Sequence, residues 1–156
     1  MAQPLGAGVS RLSSDELALV APAVRRLIEL AVDEDLGAGD LTAALLPEPA
    51  RQVNAAVAAR TAGVVCGLAV APLICESFSR RLGAELVFTP SSRDGRVIGD
   101  GDRVCQGDRA ADVRGPHAAV LTLERTLLNF ICRMSGVATR TRAFVEAAAA
   151  ANPTVR

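Results

Sequence analysis

The spacing of apolar residues changes twice along the chain, and this change most limits the fold that it can adopt. Near both ends the apolar residues recur every three or four positions, which predicts amphipathic helices. Between them, short apolar runs are bounded by Gly, Pro, Asp and Ser, as is typical of strands joined by turns. We therefore expect an α+β fold, with helices packed on an antiparallel sheet. The length of 156 residues suits one domain, or one domain and the start of another.

The N-terminal region predicts a leader followed by helix. Residues 1–12 contain Gly, Pro and Ser without periodicity, and we expect them to form a flexible leader. A capping-box pattern, Ser13 with Glu16, then precedes apolar residues at helical spacing. Pro22 interrupts this run, and it either ends a short first helix or opens a second one. The helical pattern stops at residues 33–40.

The middle of the chain predicts a small antiparallel sheet crossed by one helix. Strands are expected over 53–59 and 63–70, joined around residues 61–63, and a polar loop is expected over 90–101. The other elements predicted here are a helix over 72–82 that opens with a proline, a strand over 84–89, and a short strand near Val104.

The C-terminal quarter predicts two helices. The first covers residues 117–134, Ser135 and Gly136 break it, and the second covers residues 137–151, where an alanine run has high helix propensity. The final residues resemble the start of a strand, and a helix followed by a strand is how a βα repeat begins.

Composition excludes several classes of function. The 17 cationic side chains are all Arg and are balanced by 17 acidic ones, so no net charge favours nucleic acid or an anionic membrane. The absence of Lys excludes a Schiff-base lysine, a biotin-carrying lysine and a P-loop. With no Trp or Tyr, platforms for stacking single-stranded bases are missing. No apolar run reaches the ~20 residues that span a bilayer.

Cysteine usage indicates a reducing compartment. No two of the four cysteines form a Cys-x-x-Cys pair, and with one His a zinc site would need almost every soft ligand in the chain. The N-terminus lacks the pattern of a secretory signal. We expect a cytoplasmic protein with four free thiols in mostly apolar surroundings. The cysteines are Cys66, Cys75, Cys105 and Cys132.

An acidic cluster lies where the first helical pattern ends. A calcium loop would alternate acids and end in glutamate, whereas Leu36 and Ala38 occupy the alternating positions here. A structural exit from the helix through Gly37 and Gly39 is therefore favoured over a metal site. The cluster comprises Asp33, Glu34, Asp35 and Asp40.

The helix predicted from residue 117 carries a charged pair at the edge of its apolar stripe. At about 100° per residue, Glu124 falls in the middle of the stripe and Arg125 at its margin. Thr122 and Thr126 fall on the opposite, polar face. Two interpretations stay open. Glu124 and Arg125 form a structural salt bridge, or Arg125 binds a ligand, since its planar fork matches a carboxylate bidentately.

Three further features have simple structural interpretations. His117, at a helix start, is expected to be a surface residue rather than a catalyst. The turn over residues 100–107, which begins Asp-Gly-Asp, is similar to carrier-domain hairpins but has no lysine to modify. Arg142 and Glu146 stand four residues apart and are expected to form a surface pair.

Two segments resemble the quinolinate phosphoribosyltransferase family. Residues 124–130 (Glu-Arg-Thr-Leu-Leu-Asn-Phe) and 133–139 (Arg-Met-Ser-Gly-Val-Ala-Thr) resemble its E-R-T-A-L-N-F…L-S-G-I-A-T signature. Residues 34–42 (Glu-Asp-Leu-Gly-Ala-Gly-Asp-Leu-Thr) resemble its E-D-x-G-x-G-D-[IL]-T segment. Residues 63–68 and the Asp-Gly-Asp turn also fit. Two motifs in the correct order are more specific than either alone, and the resemblance extends over residues 25–156.

The resemblance implies an enzyme that makes nicotinate mononucleotide from quinolinate and phosphoribosyl pyrophosphate, and releases carbon dioxide and pyrophosphate, with Mg2+. It implies an N-terminal α/β sandwich domain, here residues 13–115, and the first helices of an open α/β barrel, here residues 116–156. It implies a homodimer or higher homo-oligomer. The E-R-T arginine, Arg125, would bind a quinolinate carboxylate in the neighbouring subunit's site, with Glu124 as its structural partner.

The sequence departs from the family pattern after Arg156. The family's next segment, a strand ending in D-T-R-K-T, precedes the residues that hold the substrates and the metal, and this chain has no Lys. We therefore expect no catalytic residue and no Mg2+ ligand within it, and no activity from the chain alone. The alternatives are a pyrophosphorylase-like homologue linked to molybdate transport and a non-catalytic dimerisation or interaction module.

Overall fold

The computed structural model describes residues 14–37 and 45–152, with side chains described from residue 22 onward. The helices are α1 (Ser14–Leu36), α2 (Ala71–Leu82) and α3 (His117–Ala151). The strands are β1 (Gln52–Ala58), β2 (Gly63–Val64), β3 (Val87–Pro90), β4 (Ser92–Arg93), β5 (Arg96–Val97), β6 (Arg103–Val104) and β7 (Arg109–Pro116). Among the described residues, no helix combines the length and the apolarity that a bilayer crossing requires.

The main sheet has three antiparallel strands with β7 in the centre, between β1 and β3. Val113 of β7 lies opposite Ala55 of β1 and Phe88 of β3. Ala111 and Val113 face the core and are buried, whereas Arg114 faces outward and is exposed. This alternation is expected of a sheet with one face on the core. Two smaller antiparallel pairs, β2 with β6 and β4 with β5, complete the strands described.

The helices close the core over the inner face of this sheet. α2 contacts β3, α3 contacts β7 and β1, and the helices contact one another. α2 buries Ile74, Cys75 and Phe78, which lie on one face because they are three or four residues apart. α1 contributes Ile28 and Val32, which are one turn apart and almost completely buried. The expected α+β arrangement, with a helix packed on an antiparallel sheet, is therefore confirmed.

α1 runs unbroken through Pro22, so the prediction that this proline separates two helices is wrong. An interior proline removes one backbone hydrogen bond and costs about 3 kcal/mol. The buried contacts of Ile28 and Val32 hold the helix against the core and offset part of this cost. The predicted leader and the Ser13 capping position lie outside the described residues, and so do residues 38–44.

α3 is a single helix of 35 residues, so the predicted break at Ser135 and Gly136 is wrong. A glycine in a helix costs only about 1 kcal/mol relative to alanine, and Ser135 is tied by hydrogen bonds to another part of the chain. The first half of α3 packs into the core through residues such as Leu123 and Leu127, whereas Phe144 in the second half is 75% exposed. The domain boundary between residues 115 and 116 stays a prediction.

The strand predictions are confirmed only in part. β1 and α2 match the strand over 53–59 and the helix over 72–82 closely. The strand predicted over 63–70 is shorter in the structure, where β2 covers only Gly63–Val64. β2 pairs with β6, and β1 pairs with β7. The region expected to be a polar loop over 90–101 contains the small hairpin β4–β5. β7 has no counterpart among the predicted strands, since its core-facing residues are mostly Ala and Gly.

Candidate functional site

Asp35, at the end of α1, meets α3 at the position of the E-R-T motif. Its Oδ1 lies 3.5 Å from Nε of Arg125, and its Oδ2 accepts a hydrogen bond from the hydroxyl of Thr126. Thr126 is 1% exposed, and the Asp35 side chain is 16% exposed. One carboxylate therefore joins the two sequence segments that resemble the family motifs, and it anchors itself on a buried hydroxyl.

Arg125 contacts Asp35 through Nε, while the rest of its guanidinium lies at the exposed end of the side chain. Its side chain is 80% exposed, and the ion pair with Asp35 is made through Nε. Within the described part of the chain, no other acidic or hydrogen-bonding group engages the guanidinium. Its Nη1 and Nη2 edge is therefore available to an anion, and this is the geometry in which a guanidinium binds a carboxylate bidentately.

The buried face of α3 differs from the face predicted from polarity, so the prediction that Glu124 lies within the buried stripe is wrong. Glu124 is exposed, whereas Thr122 and Thr126 are buried. Both threonines can be buried because their hydroxyls have acceptors, the backbone oxygen of Ala118 and the carboxylate of Asp35. Adjacent helical residues do not face each other. Arg125 accordingly contacts Asp35 rather than Glu124.

The Ser-Gly-Val-Ala-Thr part of the second motif acts as a clamp on β2. The hydroxyl of Thr139 accepts a hydrogen bond from the backbone N of Val64 at 2.9 Å. The hydroxyl of Ser135 does the same for Cys66 N at 2.9 Å and donates to Cys66 O at 3.1 Å. Ser135 and Thr139 are one helical turn apart and lie on the same face. Together they provide hydrogen-bond partners for the backbone N of Val64 and for the backbone N and O of Cys66.

The segment over residues 63–68 needs its two glycines to approach α3 this closely. A Cβ on Gly63 would lie 2.8 Å from the Thr139 hydroxyl oxygen. Gly67 has φ +104°, a backbone conformation that residues with a side chain rarely adopt, and a Cβ there would lie 3.2 Å from the Cα of Ile131. The family-like segment 63–68 therefore has a structural role here, as the strand and turn that dock on α3.

The Asp-Gly-Asp turn supports the same segment from the other side. Asp100 Oδ1 accepts a hydrogen bond from Leu68 N at 2.8 Å. The backbone N of Gly101 donates to Val65 O at 2.8 Å, and Val65 N donates to Asp102 O at 2.9 Å. The interpretation of these residues as a turn is confirmed, and the turn holds the strand that α3 clamps.

Two acidic residues of α1, Glu29 and Asp33, form ion pairs with α2. Arg81 binds both Asp33 and Glu29, and Glu29 also accepts hydrogen bonds from Ser77 and Arg80. The hydrogen bond from Ser77, followed by that from Arg81, lowers the pKa of Glu29 below its usual value. Within the described ranges no group of three His, Cys, Asp or Glu side chains is placed to hold a metal. Asp40 lies outside those ranges.

Two of the remaining predictions need correction. Glu146 pairs with Arg103 of β6 rather than with Arg142, because the second half of α3 lies beside that strand. Cys105 and Cys132 are exposed, contrary to the expected apolar surroundings. Cys75 is buried as expected, and burial raises the pKa of its thiol to about 11. His117 is half-buried and donates its backbone N–H to Arg51 O at 2.8 Å.

Fold and site together define a helix-covered antiparallel α/β domain that presents a tethered arginine, suited to binding a carboxylate, on the surface of its longest helix. Comparison with known families makes the assignment specific. Residues 40–135 match the model of the quinolinate phosphoribosyl transferase N-terminal domain. The chain belongs to this family, as its two motifs predict, and the α+β fold class is confirmed with it.

Curated relatives and solved structures agree with this assignment. A probable carboxylating nicotinate-nucleotide pyrophosphorylase from Methanothermobacter thermautotrophicus is 32% identical over 130 residues, which are 83% of this chain and 42% of that protein. A carboxylating nicotinate-nucleotide pyrophosphorylase from Mycobacterium leprae is 32% identical over 80% of this chain and 42% of its own length. The chain thus spans less than half the length of these relatives.

Among solved structures, NadC from Streptococcus pyogenes is similar with a TM-score of 0.67 and 28% identity, over 84% of this chain and 42% of that one. The nicotinate-nucleotide pyrophosphorylase of Francisella tularensis gives a TM-score of 0.63 at 28% identity, over 80% of this chain and 41% of its own. In both cases the similarity again covers less than half of the larger protein.

Proposed function

We propose that this chain is the N-terminal part of a quinolinate phosphoribosyltransferase. The complete enzyme makes nicotinate mononucleotide from quinolinate and phosphoribosyl pyrophosphate, and it releases carbon dioxide and pyrophosphate. Membership of the family and the names of the relatives support the reaction. The single observation that carries the role of this part is the exposed guanidinium of Arg125, which is tethered through Nε and open at its outer edge.

Arg125 is proposed to bind a carboxylate of quinolinate in the active site of a neighbouring subunit. Quinolinate carries two carboxylates, and a guanidinium remains charged at any physiological pH and binds carboxylates in a fixed planar geometry. A side chain that is 80% exposed on its own subunit is available to enter the site of another. This proposal includes a homodimer or a higher homo-oligomer.

Exposed apolar side chains support association with further protein. Leu27 and Leu30 on α1 are 57% and 60% exposed, and Val137, Phe144 and Val145 on α3 are exposed to a similar or greater degree. Leu27 and Leu30 are three residues apart, and Val137 and Phe144 are seven apart, so each pair lies on one face of its helix. Exposed apolar side chains on one helix face are typical of surfaces that another chain or domain covers. The 156-residue chain is therefore expected to associate or to be poorly soluble when it is expressed alone.

Mg2+ is proposed as the cofactor of the complete enzyme, but the described residues do not fit a site for it. Asp35 is engaged with Thr126 and Asp33 with Arg81, and the described residues include no group of three His, Cys, Asp or Glu side chains that could hold a metal. The Mg2+ ligands are expected in the remaining part of the enzyme. A cytoplasmic location also stays a prediction, supported by cysteines that form no disulfide.

Pyrophosphate release tests the proposed function. The chain alone, with quinolinate, phosphoribosyl pyrophosphate and Mg2+, is expected to release none above background. The same chain mixed with a separately expressed C-terminal portion of the Mycobacterium leprae relative is expected to release it. If the two parts associate without activity, a non-catalytic interaction module is favoured instead.

Arg125→Ala tests the role of the arginine in the active mixture. Loss of a hydrogen-bonded charge should raise the KM for quinolinate by about 10- to 100-fold. Arg140→Ala, which removes another exposed arginine of α3, is the matched control and should leave that KM unchanged. Equal effects of the two substitutions would contradict the proposed role of Arg125.

A further inference from the structure

We propose that Asp35 is a positioning residue for Arg125, and that it sets the affinity of this arginine for the substrate carboxylate. The inference rests on the proposed function of Arg125. Asp35 does not touch substrate in this proposal. It holds the guanidinium by Nε, which leaves the Nη1 and Nη2 edge of this 80% exposed side chain for the ligand.

The two oxygens of Asp35 have separate partners, and this division is the basis of the inference. Oδ2 is fixed by the hydroxyl of Thr126, which is buried in the core. Oδ1 is thereby left facing Nε of Arg125 at 3.5 Å. A carboxylate anchored on a buried group is a rigid support, whereas the side chain that it supports is almost fully exposed and has four rotatable bonds.

Asp35 is less exposed than Asp33, the acidic residue two positions earlier on α1. Its side chain is 16% exposed, compared with 57% for Asp33, which pairs with Arg81 of α2. An ion pair with an exposed arginine contributes little to stability. We therefore attribute the Asp35–Arg125 contact to the positioning of the arginine rather than to stabilisation of the fold.

Restricting the arginine before the ligand arrives should raise its affinity for that ligand. Immobilising one side chain with many rotamers opposes binding by a factor of about 2 to 10. Removal of the Asp35 charge should therefore raise the quinolinate KM by about that factor, with the KM for phosphoribosyl pyrophosphate unchanged. A purely structural residue would instead lower stability and affect both substrates.

Two substitutions separate the contacts of Asp35, and a third is their control. Asp35→Asn can still accept the Thr126 hydrogen bond, but it loses the charge that holds Arg125. Thr126→Val keeps that charge and removes the anchor. Asp33→Asn makes the same chemical change two residues earlier on α1, where the carboxylate pairs with Arg81, and it serves as the matched control.

Nuclear magnetic resonance of the arginine Nε–H groups tests the geometry in the full 156-residue chain. Arg125→Lys identifies the Arg125 signal by its disappearance. The {1H}–15N nuclear Overhauser effect should show an ordered Arg125 Nε–H in the parent chain and in Asp33→Asn, and a mobile one in Asp35→Asn and Thr126→Val. A mobile Arg125 Nε–H in the parent chain, or one that stays ordered in Asp35→Asn, would overturn the inference.

Kinetics of the active mixture then separate the two proposals. The expected result is a rise of the quinolinate KM in Asp35→Asn, no change in Asp33→Asn, and an unchanged melting temperature. If Arg125→Ala raises this KM and Asp35→Asn does not, only the positioning role is overturned. If Arg125→Ala leaves it unchanged, the proposed function of Arg125 fails, and the positioning role fails with it.

Discussion

Replacing Thr139 by Val should lower the free energy of unfolding by about 1–3 kcal/mol, the cost of a buried N–H left without an acceptor. Val64 is 5% exposed, and its backbone N donates to the Thr139 hydroxyl at 2.9 Å. The same hydroxyl lies 3.4 Å from Val64 O. Because Val has nearly the shape of Thr, the substitution removes the hydroxyl and keeps the contact between α3 and β2.

Urea unfolding followed by far-ultraviolet circular dichroism is the suitable assay, since the chain has no Trp or Tyr to report by fluorescence. At a typical dependence on urea, the midpoint should fall by about 0.5–1.5 M with an unchanged slope. Thr141→Val, at an exposed position of the same helix, is the control and should change stability by no more than about 0.5 kcal/mol. Equal midpoints for the two variants would refute the clamp.

Two further predictions concern a glycine of α3 and a carboxylate of α1. Gly136→Ala should stabilise the protein by up to about 1 kcal/mol in the same assay, because a Cβ there meets nothing within 4 Å. Gly63→Ala, where a Cβ would lie 2.8 Å from the Thr139 hydroxyl oxygen, should destabilise it, and the reverse order would contradict the packing described. The pKa of Glu29 is lowered in the folded protein, so the stability it contributes is present above its unfolded value of 4.5 and is lost as the pH falls through the folded value. The difference in stability between the parent chain and Glu29→Gln should therefore shrink as the pH is lowered below 4.5, and a constant difference would exclude this linkage.

Local sequence patterns predicted those helices and strands in which apolar residues follow one regular period. The helix α2 and the strand β1 were predictable because apolar residues recur in them with one clear period. β7 was harder, since Ala and Gly on its inner face carry little apolar signal even though the strand lies at the centre of the sheet. The continuity of α3 across Gly136 depends on Ser135 and Thr139, whose partners are 69 and 75 residues away in the chain.

In the candidate site, too, one residue was predictable from the sequence and its partner was not. Arg125 was singled out from the sequence, whereas its partner was assigned to the neighbouring Glu124. The structure provides Asp35 instead, which lies 91 residues before Thr126 in the sequence and contacts both Thr126 and Arg125. Thr126 was assigned to the polar face because hydroxyls are normally solvated. A hydroxyl with a buried acceptor has no such requirement, and polarity alone then assigns the wrong face.

The sequence by itself determined the α+β class, the absence of lysine chemistry, and two motifs that identify the family, because these depend on residue types and on short-range spacing. Only the tertiary structure decided that Asp35 of the E-D-x-G segment contacts the E-R-T arginine, and that the Ser-Gly-Val-Ala-Thr segment clamps β2. Both are pairings of polar groups across 69 to 91 residues of chain. Which distant group satisfies a carboxylate or a hydroxyl is settled by the packing of the core around it, and no local period records that choice.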